Sequence, residues 1–131
     1  PVVQDEQALD ELIRHSPNEL LFRRQYRRST AGRVRRILEC SAAPGAVNVE
    51  AAARALNISS QHLRRLLREE GSSFRAIRDD VLRDQAITTL AGGRETVDAL
   101  AERLGFSEPS AFRRAFRRWT GNAPSFYRPA R

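Results

Sequence analysis

The chain carries the same pattern twice. Ala53, Leu56, Ile58 and Ser59 recur as Ala101, Leu104, Phe106 and Ser107 at a spacing of 48 residues. Leu63, Leu66 and Leu67 recur as Phe112, Ala115 and Phe116 at 49, and Gly71 recurs as Gly121 at 50. The spacing grows by single-residue insertions, while the apolar and turn positions keep their order. A period of this length marks a repeated supersecondary unit. Each copy reads as a short helix, a tight turn and a longer helix, so the chain is constrained to two helix-turn-helix units. The fold class expected is all-α, with two such subdomains, homeodomain-like three-helix units, joined by a long linker helix. About seven helices are expected, plus one or two at the N-terminal end.

The second copy shows the local chemistry most clearly. Thr96 caps a helix over Val97–Leu104 with Val97, Leu100, Ala101 and Leu104 apolar, and small Ala101 stands where the two helices must approach closely. Gly105 takes the turn, where a left-handed backbone costs glycine nothing. Ser107 is the expected N-cap and Pro109 suits the first turn of the next helix. Phe112, Ala115, Phe116 and Trp119 recur at helical spacing and belong to a core, while Arg113, Arg114, Arg117 and Arg118 fall on the other faces. Gly121 ends this helix, and Pro124 opens a short helical turn with Phe126 and Tyr127. In the first copy Asn48 caps Val49–Leu56, and Asn57–Ile58–Ser59 is the turn. Asn57 stands at the position of Gly105, and asparagine tolerates the left-handed region. The helix Ser60–Glu70 follows, with Leu63, Leu66 and Leu67 inward and Gly71 as its stop.

Between the copies lies Ser73–Ala91, capped by Ser72 or Ser73, ended by Gly92–Gly93, and apolar at Phe74, Ile77, Val81, Ala86, Ile87 and Leu90. A helix of that length spans about 28 Å. Before the first copy, Ser29–Thr30 caps a helix over Ala31–Cys40 with Val34, Ile37 and Leu38 on one face, and Pro44–Gly45 marks a loop. Cys40 is expected as a small half-buried residue near the helix end. Residues 1–28 read as two short helices. One covers Asp5 to Arg14 with Leu9, Leu12 and Ile13 on one face. The other opens at Ser16–Pro17 and runs to Arg28 with Leu20, Leu21 and Tyr26 as its stripe, and Arg23, Arg24, Arg27 and Arg28 form a basic cluster on it.

All 23 basic residues are Arg, against 16 acids, for a formal charge of +7. Residues 1–30 balance five Arg with five acids, so the whole excess falls on residues 31–131. A GC-rich coding genome produces the same preference for Arg over Lys. The placement of the excess points to a polyanionic partner for the repeated part: DNA, RNA or an anionic membrane surface. Cys40 is the only cysteine, so no intramolecular disulfide forms, and no apolar run reaches the roughly 18 residues of a membrane span. The start at Pro1 reads as a fragment of a longer protein or a processed product.

The set Ala99–Leu100–Ala101, Gly105–Phe106–Ser107, Phe112, Arg114–Ala115–Phe116, Gly121, Pro124 and Tyr127–Arg128 resembles the second helix-turn-helix of AraC/XylS-type bacterial transcription regulators. The resemblance covers roughly residues 30–128. It implies a DNA-binding domain over residues 30–131, with a first helix-turn-helix at about 48–71, a linker helix at about 73–91 and a second helix-turn-helix at about 96–121. It further implies an upstream effector or dimerisation domain, with residues 1–29 as its C-terminal tail and any effector bound there. The partner implied is double-stranded DNA, with RNA polymerase a further candidate and no membrane. The setting implied is the bacterial cytoplasm at the nucleoid, and the fragment itself is expected to be monomeric.

In a helix-turn-helix the second helix enters the major groove and presents its N-terminal half to bases. That selects Gln61, Arg64 and Arg65 in the first unit and Ser110, Arg113 and Arg114 in the second, positions that also match where the family's recognition helices meet bases. Gln pairs with adenine and Arg with guanine, and Pro109 and Ala111 offer apolar contact to thymine methyls. Arg68, Arg117 and Arg118, further along, suit phosphates, as do the backbone amides at Asn48 and Thr96. Against this stands solvation of each arginine or an internal pair with Glu69, Glu70 or Glu102. His62 is expected packed beside the turn, and Phe106, Phe112, Phe116 and Trp119 in the core. A protein-interaction module using the exposed Arg/Glu faces is the competing function. An enzyme is not expected: His15, His62 and Cys40 fall on separate elements, with no metal spacing, no cofactor motif and no glycine-rich loop after a strand.

Overall fold

A computed structural model describes residues 17–129. Seven α-helices follow one another there: α1 Pro17–Arg28, α2 Thr30–Glu39, α3 Val49–Ala55, α4 Ser60–Glu69, α5 Phe74–Gly92, α6 Val97–Leu104 and α7 Pro109–Thr120. Short 3-10 turns occupy Pro44–Ala46 and Pro124–Tyr127, and no strand occurs among the described residues. The helix expected over Asp5 to Arg14 lies outside them.

The helix starts follow from side chains that satisfy first-turn amides, groups that no helix can pair internally. The Asn48 Oδ1 accepts from the Ala51 N–H at 2.8 Å, the Ser59 Oγ from His62 at 3.0 Å, the Ser73 Oγ from Ala76 at 3.1 Å and the Thr96 Oγ1 from Ala99 at 3.1 Å. At α7 the expectation of Ser107 as cap is corrected. The cap is Glu108, with no side-chain bond of its own, because Pro109 takes the first helical position and so fixes the cap one residue later. Both turns between paired helices are left-handed, at Asn57 (φ 59°) and at Gly105 (φ 103°).

Two cores share one helix. Ala31, Val34, Leu38, Ala52, Ala53, Leu63 and Leu67 pack with Ile77 and Val81 of α5. Leu100, Ala101, Leu104, Phe112 and Phe116 pack with Leu82, Ala86 and Leu90 further along it. Val81 and Leu82 are neighbours in sequence, so the division between the cores falls between two successive residues. A second contact joins the units. A Cβ on Gly45 would lie 2.6 Å from the Leu104 carbonyl oxygen, and one on Gly105 would lie 2.8 Å from the Ala46 amide nitrogen. The 3-10 turn before the first unit therefore sits against the turn of the second, at a distance only glycine permits.

The N-terminal end of α2 is held from across the first unit. The Glu70 carboxylate accepts from the Thr30 and Ala31 amides, each at 2.9 Å. Partial burial acts to raise this carboxyl, but the two backbone donors outweigh it and hold it below the ordinary glutamate range. Arg35 joins α2 to α5 through Asp84 at 2.8 Å, and also pairs with Glu39 on its own helix at 3.1 Å. Two positions of the apolar stripe expected on α1, Leu21 and Tyr26, are 57% and 42% exposed, and Arg23, Arg24, Arg27 and Arg28 are exposed as well. Cys40 is exposed rather than half-buried, because α2 ends on it, away from the Val34–Leu38 face.

Candidate nucleic-acid interface

The repeat brings α4 and α7 into equivalent roles. Each turns one face inward, on Leu63 and Leu67 in α4 and on Phe112, Ala115 and Phe116 in α7. The opposite faces carry the arginines. Counted from each cap, Arg64 and Arg113 are the fifth helical residues, Arg65 and Arg114 the sixth, and Arg68 and Arg117 the ninth. All six are exposed, as are Gln61, Ser110 and Arg118, while Pro109 and Ala111 are half-buried at the start of α7. Every position selected for base contact thus lies within the first six residues of its helix, and Arg68, Arg117 and Arg118 lie further along. Asn48 and Thr96 are exposed and spend their side chains as caps of α3 and α6.

Some arginines have internal partners, though mostly not those expected. Arg65 pairs with Glu69 at 3.9 Å. Arg64 pairs with Glu50 of α3 at 3.7 Å, and Arg113 with Asp98 of α6 at 3.0 Å. Glu70 caps α2 instead. Arg114, Arg117 and Arg118 make no ion pair among the described residues. Exposed pairs of this kind contribute about 0–1 kcal/mol to stability.

One residue escapes selection by sequence. Arg75, on the first turn of α5, lines a groove with Arg64 and Arg68 over Val49, Leu67 and Phe74. Its position two residues after the Ser73 cap is the available signal, but only the folded chain places it beside α4. Phe106, Phe112, Phe116 and Trp119 belong to the core and do not offer a stacking surface. Phe112 and Phe116 are fully buried, and Phe106, Trp119 and Tyr127 pack on them, with ring centroids 5.5 Å apart for Phe106–Phe112 and for Phe116–Tyr127. His62 is half-buried. Among the described residues no group of His, Cys, Asp and Glu could hold a metal ion, and no helix is long and apolar enough to cross a membrane. His15 lies outside them.

A family model described as a helix-turn-helix domain matches residues 52–130. The ornithine utilization regulator of Pseudomonas aeruginosa is 43% identical over 99 residues, which are 75% of this chain and 29% of the regulator. The chain thus spans under a third of that relative's length. A solved structure of a probable AraC family transcriptional regulator from Rhodopseudomonas palustris superposes with a TM-score of 0.61 at 28% identity, covering 76% of this chain and 98% of that one. A DNA-binding transcriptional dual regulator from Escherichia coli K-12 shares the fold, with a TM-score of 0.70 at 22% identity over 76% of this chain and 88% of that one.

Proposed function

The chain belongs to the helix-turn-helix domains of AraC/XylS-type transcription regulators, and on that premise we propose that it reads double-stranded DNA through the major groove with both of its units at once. The observation that carries this reading is the matched placement of Arg64, Arg65 and Arg68 with Arg113, Arg114 and Arg117, on two helices whose inward faces belong to cores that share one 19-residue helix. That helix is about 28 Å long, and successive major-groove faces of DNA lie about 34 Å apart. One chain can therefore span adjacent turns without a partner.

In this proposal Gln61, Arg64, Arg65, Ser110, Arg113 and Arg114 meet base edges, with Pro109 and Ala111 against thymine methyls. Arg68, Arg75, Arg117 and Arg118 hold phosphates, as do the amides at Asn48 and Thr96. The phosphate contacts set position and the base contacts set sequence. Residues 1–29 are the tail of an upstream effector or dimerisation domain, the fragment is monomeric by itself, and the protein works in the cytoplasm on nucleoid DNA, where an exposed face is open to RNA polymerase. No catalytic role is proposed.

Binding titrations on a preferred and a random duplex test the assignment. Arg114→Ala should cost about 1–3 kcal/mol on the preferred duplex and little on the random one. Arg118→Ala should weaken both alike and lower the salt slope by about one. Equal losses on both duplexes for Arg114→Ala would remove it from the base-reading set.

A further inference from the structure

The two units share a feature beyond their arginines. In each, an acid at the second position of the first helix faces the arginine at the fifth position of the recognition helix. Glu50 follows the Asn48 cap by two residues and Asp98 follows Thr96 by two. Arg64 follows its cap by five and Arg113 by five. The Arg64 Nη2–Glu50 Oε1 distance is 3.7 Å and the Arg113 Nη2–Asp98 Oδ1 distance 3.0 Å, with the two arginine side chains 51% and 50% exposed. The acids are 48 residues apart and the arginines 49, so the pairing spans the one-residue insertion between the copies. It also spans the change from Glu to Asp.

Stability does not account for the arrangement, since half-exposed pairs contribute about 0–1 kcal/mol. Its evident effect is on the arginine. A free arginine side chain holds about 2 kcal/mol of rotamer entropy and is drawn to the nearest phosphate. A guanidinium tethered at Nη2 keeps its other N–H donors free, in a fixed plane, for the paired acceptors of a guanine edge.

We propose that Glu50 and Asp98 are positioning residues for specificity: each holds its arginine toward the base edges and away from the phosphates. This rests on the base-reading role assigned to Arg64 and Arg113. It predicts an effect of opposite sign on two kinds of DNA. Without the carboxylate the arginine swings to a phosphate, so random duplex is bound more tightly while the preferred sequence loses its advantage.

The test is to select bound duplexes from a random pool with the chain and its Asp98→Asn, Asp98→Glu, Glu50→Gln and Arg113→Ala variants, followed by titration on preferred and random duplexes. Asp98→Asn should reduce the preferred-to-random affinity ratio about tenfold, within the range of one bidentate base contact. Random affinity should rise and the salt slope steepen by about one. Asp98→Glu should restore the ratio, and Glu50→Gln should do the same as Asp98→Asn at a different base position. An unchanged ratio in Asp98→Asn and Glu50→Gln, with the ratio collapsed in Arg113→Ala, would overturn the proposal and leave base reading intact. Equal weakening of both duplexes by the acid variants would overturn it in favour of a structural role. Base preference intact in Arg113→Ala would overturn the base-reading assignment, and this proposal with it.

Discussion

In the first unit the recognition helix rests on Leu63 and Leu67, while in the second it rests on Phe112 and Phe116, with Phe106, Trp119 and Tyr127 packed around them. The outward faces nevertheless match residue for residue at the fifth, sixth and ninth helical positions. The interiors differ because the supports differ. The first unit has α2 to itself, bringing Val34 and Leu38, and takes Phe74, Ile77 and Val81 from α5. The second has no helix of its own in that place. It relies on Leu82, Ala86 and Leu90 of α5 and on the 3-10 turn at Pro124–Tyr127, so larger rings fill the remaining volume. What the chain holds constant is where the arginines stand relative to the turn, and that can be kept on either interior.

The largest expected effect separates the interiors. Phe116→Ala should cost about 3–5 kcal/mol and Leu67→Ala about 2–5 kcal/mol. Since each side chain belongs to one core only, hydrogen exchange should quicken first in α6 and α7 for Phe116→Ala, and first in α2 to α4 for Leu67→Ala. Equal quickening in both units for either variant would mean that α5 fuses them into a single cooperative body.

A smaller effect should separate the turns. Gly105→Ala places a side chain at φ 103°, 2.8 Å from the Ala46 amide nitrogen, and should cost about 1–3 kcal/mol. Asn57→Gly, at the equivalent place with φ 59°, should stay within about 0.5 kcal/mol. Denaturant midpoints decide it, and comparable losses would show that the seam between the units carries no strain-sensitive contact.

The smallest effect belongs to the first unit alone. Glu70→Gln weakens the two amide contacts that start α2 and should cost about 1 kcal/mol at neutral pH, as for loss of a cap. The folded Glu70 carboxyl titrates lower than the unfolded one, so its contribution is full above the unfolded value of about 4.3. It is lost as pH falls through the folded value. The gap between parent and variant should therefore close on acidification, and a gap that persisted at the acid end would mean that hydrogen bonding to the charged form is not its source.

Much of the fold is legible in the sequence. Caps at Asn48, Ser73 and Thr96 and the left-handed Asn57 and Gly105 are local chemistry, and local patterns report them. The linker helix, expected over Ser73–Ala91, runs Phe74–Gly92. The misses share a different cause. Ser107 and Glu108 are adjacent candidates for one cap, and the choice depends on where Pro109 is held. Cys40 can be placed only by knowing which side of α2 ends against solvent. The pairs of Arg64 with Glu50 and of Arg113 with Asp98, the approach of Gly45 to Leu104 and the neighbourhood of Arg75 all join elements that sequence spacing leaves apart.

Whether one chain reads two groove faces with two unlike units is decided by selecting bound duplexes from a random pool at about 150 mM salt, where nonspecific phosphate binding is already weakened. Two elements with centres about 10 base pairs apart, one lost in Arg65→Ala and the other in Arg114→Ala, are the predicted result. A single short element, insensitive to changes in one of the two recognition helices, would contradict the account and leave that unit holding backbone only.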